Sequence, residues 1–304
     1  MKKVTLFVLA NRYIDSPETI TMQSEVGAVE RITPRILLSS LKIVKQGKVS
    51  SLAQCYENGM PTVSFHGPFF YSTYRTVDSC LRDFKEFPNR LGSTVCRYEL
   101  SDHTGTHIDS LNHASVGYEM YGGFDIRDIQ TTSGTTHLGI DKMPPVVTRG
   151  VLLNFPEYFG ADILEEEYEI TKDDVLALLK KSGLEIGSGD AVLFYTGYSK
   201  LWMKDNARYL GNAPGVGLDA AKWLARMKVS IAGADTLSFD VVKSKPKLLF
   251  PCHQVLIKEN GIRLVENLRL NEIADQRVKE FLFVCTPLRI NGGAGSPVAP
   301  IAVY

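Results

Sequence analysis

The hydrophobic and polar positions of this chain fall into blocks whose period switches between helix-like and strand-like spacing. Residues 33–47 place Ile36, Leu37, Leu41 and Val44 at helical spacing, with Pro34 at the start and Gly47 past the end, so a helix is predicted there. Residues 63–65 and 93–100 read as strands. Between them, residues 66–74 form an aromatic cluster, predicted as strand and core, with the wall of a substrate pocket as its functional alternative. Residues 114–145 are glycine-rich and read as loop. A buried strand resumes at 150–153. Thr171-x-x-Asp174 opens a short amphipathic helix that Gly183 stops. Residues 191–195 read as a strand, 218–228 as a helix and 229–232 as a strand, the alternation of βαβ units. Residues 255–257 and 262–265 flank Asn260-Gly261, a hairpin signal. Residues 281–284 and 298–303 are further strands. Gly292-Gly293-Ala294-Gly295 lacks phosphate-loop spacing and reads as a turn. No repeat, low-complexity tract or linker interrupts the pattern, so residues 1–304 are read as a single α/β (α+β) domain, with residues 1–59 as an N-terminal extension packed on it.

Composition narrows the function classes. The chain has 304 residues and 44% hydrophobic content, enough for a large core. Formal net charge is zero and no basic run occurs, which argues against nucleic acid and anionic membrane as partners. The apolar run at residues 4–10 reads as an ordered strand rather than a secretion signal, and no apolar stretch reaches the ~18 residues of a membrane-spanning helix. Five cysteines (Cys55, Cys80, Cys96, Cys252, Cys285) form no C-x-x-C pair and read as buried thiols of a reducing, cytoplasmic compartment.

The chemistry concentrates between residues 103 and 113. Three of the six histidines, His103, His107 and His113, lie there with Asp109. Two imidazoles and a carboxylate at H-x₃-H-x-D spacing are the ingredients of a metal site with open coordination positions. Thr104, Gly105 and Thr106 between the histidines are poor helix formers, so the stretch reads as a strand end running into a tight loop. Gly105 suits a left-handed turn or a close backbone approach. His113 has the ordinary pKa range for moving a proton at neutral pH. No G-x-S-x-G nucleophile motif or cysteine nucleophile signature is present. A metal with open positions activates water and polarises carbonyls, which points to hydrolysis of an amide, formamide, lactam or lactone of a small aromatic or cyclic substrate. A metal-assisted lyase, dehydratase or cyclase, and a catalytically silent binding protein, are the alternatives. His66 and His137 carry no motif and read as structural or pocket-lining, and Tyr198 and Trp202 as core.

The stretch 103–113 resembles the signature H-x-G-T-H-x-D-x-P-x-H of the cyclase family of metal-dependent hydrolases. Residues 148–154, 189–197, 233–240 and 295–298, with His253 and Glu266, resemble its later blocks in order. The resemblance implies a swivelling β/β/α fold, a homodimer or higher homo-oligomer, and metal ligation by His103, His107 and Asp109 with His113 as the acid/base. It further implies that His253 and Glu266 join the metal site, with one or two ions of Zn²⁺ or Mn²⁺. Leu111 departs from the pattern, which has proline there to fix the loop before His113. On the predicted hairpin, His253 and Glu266 would be cross-strand neighbours.

Overall fold

The computed structural model describes residues 24–304; the apolar run at 4–10 lies outside them. Nine strands form one mixed sheet: β1 (Val49–Ser51), β2 (His107–Asp109), β3 (Val146–Asn154), β4 (Ala191–Tyr195), β5 (Ile231–Ala234), β6 (Arg263–Glu266), β7 (Glu280–Cys285), β8 (Gly295–Pro297) and β9 (Ile301–Val303). Their order across the sheet is β1-β9-β7-β3-β4-β5-β6-β2-β8. The central four, β3 to β6, run parallel. The flanking pairs are antiparallel.

Strict alternation along β3 and β4 explains why both faces are covered. Val151, Leu153, Val192 and Phe194 point into one core, shared with α2 (Lys172–Ser182) and α3 (Leu218–Arg226). Leu152, Ala191, Leu193 and Tyr195 point into the opposite core with Phe281 and Phe283. A parallel sheet needs such double cover, and its strands therefore read as continuous apolar runs. The helix starting at Thr171 forms as its sequence directs. Thr171 and Asp174 cap each other reciprocally, and Gly183 closes the helix with φ 70°.

Four local expectations are corrected. The helix at 33–47 is shorter: α1 (Pro34–Ser40) is α-helical, Leu41–Ile43 tightens to a 3₁₀ turn, and Val44 is extended. Ser39 and Ser40 hydroxyls donate back to the Ile36 carbonyl (2.8 Å each), a competition that weakens a helix end. The predicted strand at 63–65 is a single turn, Ser64–His66, ended by Gly67 at φ 72°. The aromatic cluster is core only at Phe69. Tyr74 is exposed, and the strand part of the expectation holds at Phe70–Arg75, which pairs antiparallel with Val95–Glu99 in an outer two-stranded ladder. The predicted hairpin around Asn260-Gly261 does not form. Pro251–His253 begins a short helix that widens to a π turn over Gln254–Glu259 before β6. Val255, Leu256 and Ile257 are all buried, and a short, wholly apolar run gives no period to separate helix from strand.

Asp235, fully buried past the end of β5, holds the chain that follows β4. Its Oδ1 accepts from the Thr196 amide (2.8 Å) and hydroxyl (2.7 Å). Its Oδ2 accepts from the Gly197 (3.0 Å) and Ser199 (3.1 Å) amides and the Ser199 hydroxyl (3.1 Å). Burial pushes the carboxyl pKa up and these donors oppose it. Asp235→Ala strands three buried amides at once, so a loss of about 3 kcal/mol or more is expected in urea unfolding. A change under about 1 kcal/mol would show that water replaces the carboxylate at no cost.

Candidate metal centre

Strand β2 supplies the middle of the site. His107 and Asp109 are two residues apart, so both point to one face, and Ile108 between them is fully buried in the opposite core. Across the ladder Glu266 is the register partner of His107, which places the two side chains together. The preceding loop turns at Gly105, whose φ is 65°. A side chain there would collide with the Tyr56 ring, whose hydroxyl donates to the Thr104 (3.0 Å) and Thr106 (2.6 Å) carbonyls. His103 reaches back over this turn. His113 follows β2 in the next loop, with Leu111 fully buried between them. Leu111 thus anchors by packing the segment that proline would restrain through its ring.

The donors converge. Asp109 Oδ1 lies 3.0 Å from His103 Nδ1 and 3.5 Å from His107 Nε2, and its Oδ2 lies 3.6 Å from His253 Nε2. Glu266 divides in the same way, Oε2 lying 3.4 Å from His107 Nε2 and Oε1 3.5 Å from His253 Nε2. The His113 ring is 4.0 Å from that of His103. The donor atoms of His103, Asp109 and His113 lie within 4.8 Å of one another, as do those of His107, Asp109 and Glu266. The structure therefore brings together all six residues singled out from the sequence. His66 lies at the edge, its ring 5.7 Å from His103. His137 is elsewhere, paired with Glu25. Tyr198 and Trp202 are buried in the core.

Three of the ligand candidates, His107, His253 and Glu266, are oriented from behind. His107 Nδ1 donates to the Gly105 carbonyl at 2.8 Å, which leaves Nε2 facing the site. His253 Nδ1 donates to Asp240 Oδ2 at 2.6 Å with the same result. Glu266 Oε1 accepts from the Phe239 amide at 2.7 Å. Asp240 was not legible as a site residue, because nothing in its spacing ties it to His253; the fold alone does. Its other oxygen accepts from the Cys252 amide at 2.6 Å. Such outer partners fix ring orientation and ligand basicity. Asp240→Asn is therefore expected to weaken metal binding by roughly 10- to 100-fold in a chelator competition titration. An unchanged affinity would remove Asp240 from the orienting role.

The electrostatics call for a cation. Asp109 and Glu266 are buried, and Asp109 Oδ2 has no hydrogen-bond partner. An orphaned carboxylate oxygen in that position is costly unless a cation meets it. Burial opposes charge on Asp109, yet the surrounding imidazoles hold its pKa well below the usual range. Burial alone would lower His107 and His253, but the adjoining carboxylates win and raise them to about 10 and about 9. Protons and a metal thus compete for the same nitrogens. Desolvation pushes the His113 pKa down, with neighbouring imidazoles adding to it. Its exposed edge meets cleft solvent, which limits that push but not its direction. The residues present fit a divalent metal: imidazole nitrogens and carboxylate oxygens around an unsatisfied, buried negative charge.

Comparison with known proteins agrees with this geometry. Residues 50–241 match a family model described as "Putative cyclase"; the match ends before His253 and Glu266. Cyclase-like protein 3 of Oryza sativa subsp. japonica is 28% identical over 210 residues, 67% of this chain and 63% of that protein's length. Isatin hydrolase of Roseibium aggregatum is 26% identical over 214 residues, 67% of this chain and 72% of that protein. A solved structure described as a novel cyclase superposes with a TM-score of 0.84 at 26% identity, covering 92% of this chain and 96% of that one.

Proposed function

Because the chain belongs to the cyclase family, we propose that it is a metal-dependent hydrolase cleaving the C–N or C–O bond of a small amide, formamide, lactam or lactone. The observation that carries this reading is the buried Asp109 Oδ2, unpartnered amid converging imidazoles. His103, His107, Asp109, His253 and Glu266 would hold the ion, Zn²⁺ or Mn²⁺. When bound, such an ion supplies Lewis-acid polarisation of a carbonyl and a lowered pKa for water, towards about 7.

The chain's own residues supply the rest. His113, kept neutral by its surroundings, accepts a proton at a ring nitrogen as water oxygen bonds to the carbonyl carbon. It returns that proton to the departing nitrogen or oxygen as the scissile bond breaks. Asp240 and the Gly105 carbonyl keep His253 and His107 turned to the ion. Asp109 divides its oxygens between the His103 and His107 imidazoles on one side and His253 on the other, and Glu266 divides its own between His107 and His253, a split that would suit two ions better than one. All five cysteines are free thiols, and among the described residues no helix is long and apolar enough to cross a membrane. We place the enzyme in the cytoplasm, as a homodimer acting on a small molecule.

Two measurements test the reading. Metal titration of the wild type should give two ions, and of Glu266→Ala one; one ion in both proteins would make it a single-metal site. Turnover of a panel of formamides, lactams and lactones in ¹⁸O water should place the label in the product carboxylate. Products without label would instead make the enzyme a lyase, dehydratase or cyclase.

A further inference from the structure

The cleft above the donors has a shape and a charge balance that restrict what can enter it. It encloses about 550 Å³, within the range of roughly 300–1,000 Å³ typical for organic ligands, and a compact bicyclic ring would leave most of it empty. Beyond the donor cluster its wall is largely apolar, with Val63, Leu210, Leu237, Val242 and Phe250. Among the described residues no lysine or arginine lines it. Against that wall, out of reach of the ion, a carboxylate or phosphate on the substrate would be stripped of water with no described side-chain cation to receive it. An added ammonium would find Asp109 and Glu266 already committed to the ion.

The rim carries the second observation. Phe65 and Leu249 both line the cleft, yet they are 81% and 78% exposed, and Leu248, next to Leu249 in the chain, is 60% exposed. Apolar side chains gathered at the mouth of a cleft mark a binding surface. Fixed turns hold them. Phe65 packs edge-on against His66, ring centroids 4.5 Å apart, on the turn that Gly67 closes. Leu249 precedes Phe250, a non-glycine residue at φ 44°, whose ring lies 5.5 Å from that of His253. The two rim residues thus stand at the outer end of a wall whose inner end is the donor cluster.

We propose that the substrate is uncharged away from the scissile bond and carries an apolar arm, several carbons or a second ring long, that leaves the cleft between Phe65 and Leu249. This rests on the hydrolase reading only in calling the ligand a substrate. Binding tests it directly. A series of N-alkyl methanesulfonamides, methyl to decyl, which have no acyl carbon to hydrolyse, is titrated calorimetrically into metal-loaded protein, beside analogues ending in a carboxylate or an ammonium. Affinity should rise by about threefold per methylene along the arm, somewhat less than full burial gives because the rim is open. The charged analogues of intermediate arm length, whose charged end lies against the apolar wall out of reach of the ion, should bind about 100-fold more weakly, because burial strips that end of water. Phe65→Ser and Leu249→Ser should bring the gain per methylene on long arms close to one.

Affinity independent of arm length, or tighter binding of the charged analogues, overturns the proposal. So does a loss of dimer in sedimentation of the two rim variants with arm dependence unchanged, which would make the rim an interface between copies. Hydrolysis is measured separately on matching acyl anilides. Arm-dependent binding without any hydrolysis would sink the hydrolase reading and leave this inference standing. Hydrolysis without any arm preference would do the reverse.

Discussion

His107→Ala will leave the protein unable to retain a divalent ion and will lower turnover by about 10³-fold or more. The size follows from what a Lewis acid contributes, several kcal/mol at about 1.4 kcal/mol per factor of ten. His107 is the pivot of the donor set: it is 2% exposed, sits between Asp109 and Glu266, and has its other nitrogen fixed by the Gly105 carbonyl. Removing it also leaves two buried carboxylates facing each other, a defect worth about 3–5 kcal/mol of stability. His107→Gln keeps most of the volume and serves where the alanine variant does not fold. Elemental analysis of folded, chelator-free protein is the measurement. Full metal content in a folded variant, or activity in wild type without any transition metal, would defeat the metal assignment.

The second large effect is expected at His113. His113→Ala should keep the metal and lower kcat by roughly 10²-fold or more, the usual scale for losing a general acid/base. The residue is exposed to the cleft, whereas His107 and Asp109 are almost wholly buried. A group that meets substrate must be reachable. His113 nevertheless lies near His103 and Asp109, so ligation is the competing role. Metal analysis separates the two: loss of an ion in His113→Ala makes it a ligand.

Much of the site could be read from residues 103–113 because a strand lays alternate residues on one face, and H-x-D at spacing two needs nothing else to converge. The turn at Gly105 was legible for the same local reason. His253 and Glu266 show where local reading stops. Their proximity was expected from a hairpin; they do meet, but through a helix that returns to β6. The apolar run 255–257 carried no period, so its geometry was decided by tertiary burial. The βαβ succession through α2 and α3 was visible in capping and periodicity. The sheet order was not, because the insertion of β2 between β6 and β8 is a pairing across more than a hundred residues of chain. Asp240 was hidden in the same way.

That insertion has a kinetic meaning. Strand β2 carries His107 and Asp109, but both its ladder partners, β6 and β8, come from the last quarter of the chain. The two donors emerge early in synthesis and wait for Glu266 and for the Gly295–Pro297 strand to close over them. Contacts of such long sequence separation form late and slowly. A nascent or partly refolded chain therefore presents only a loose pair of imidazoles and a carboxylate, a weak and unselective trap. Tight capture begins only when the C-terminal strands dock. An ion held there would raise the unfolding midpoint by mass action, so metal retention would report that the last step of folding has been completed.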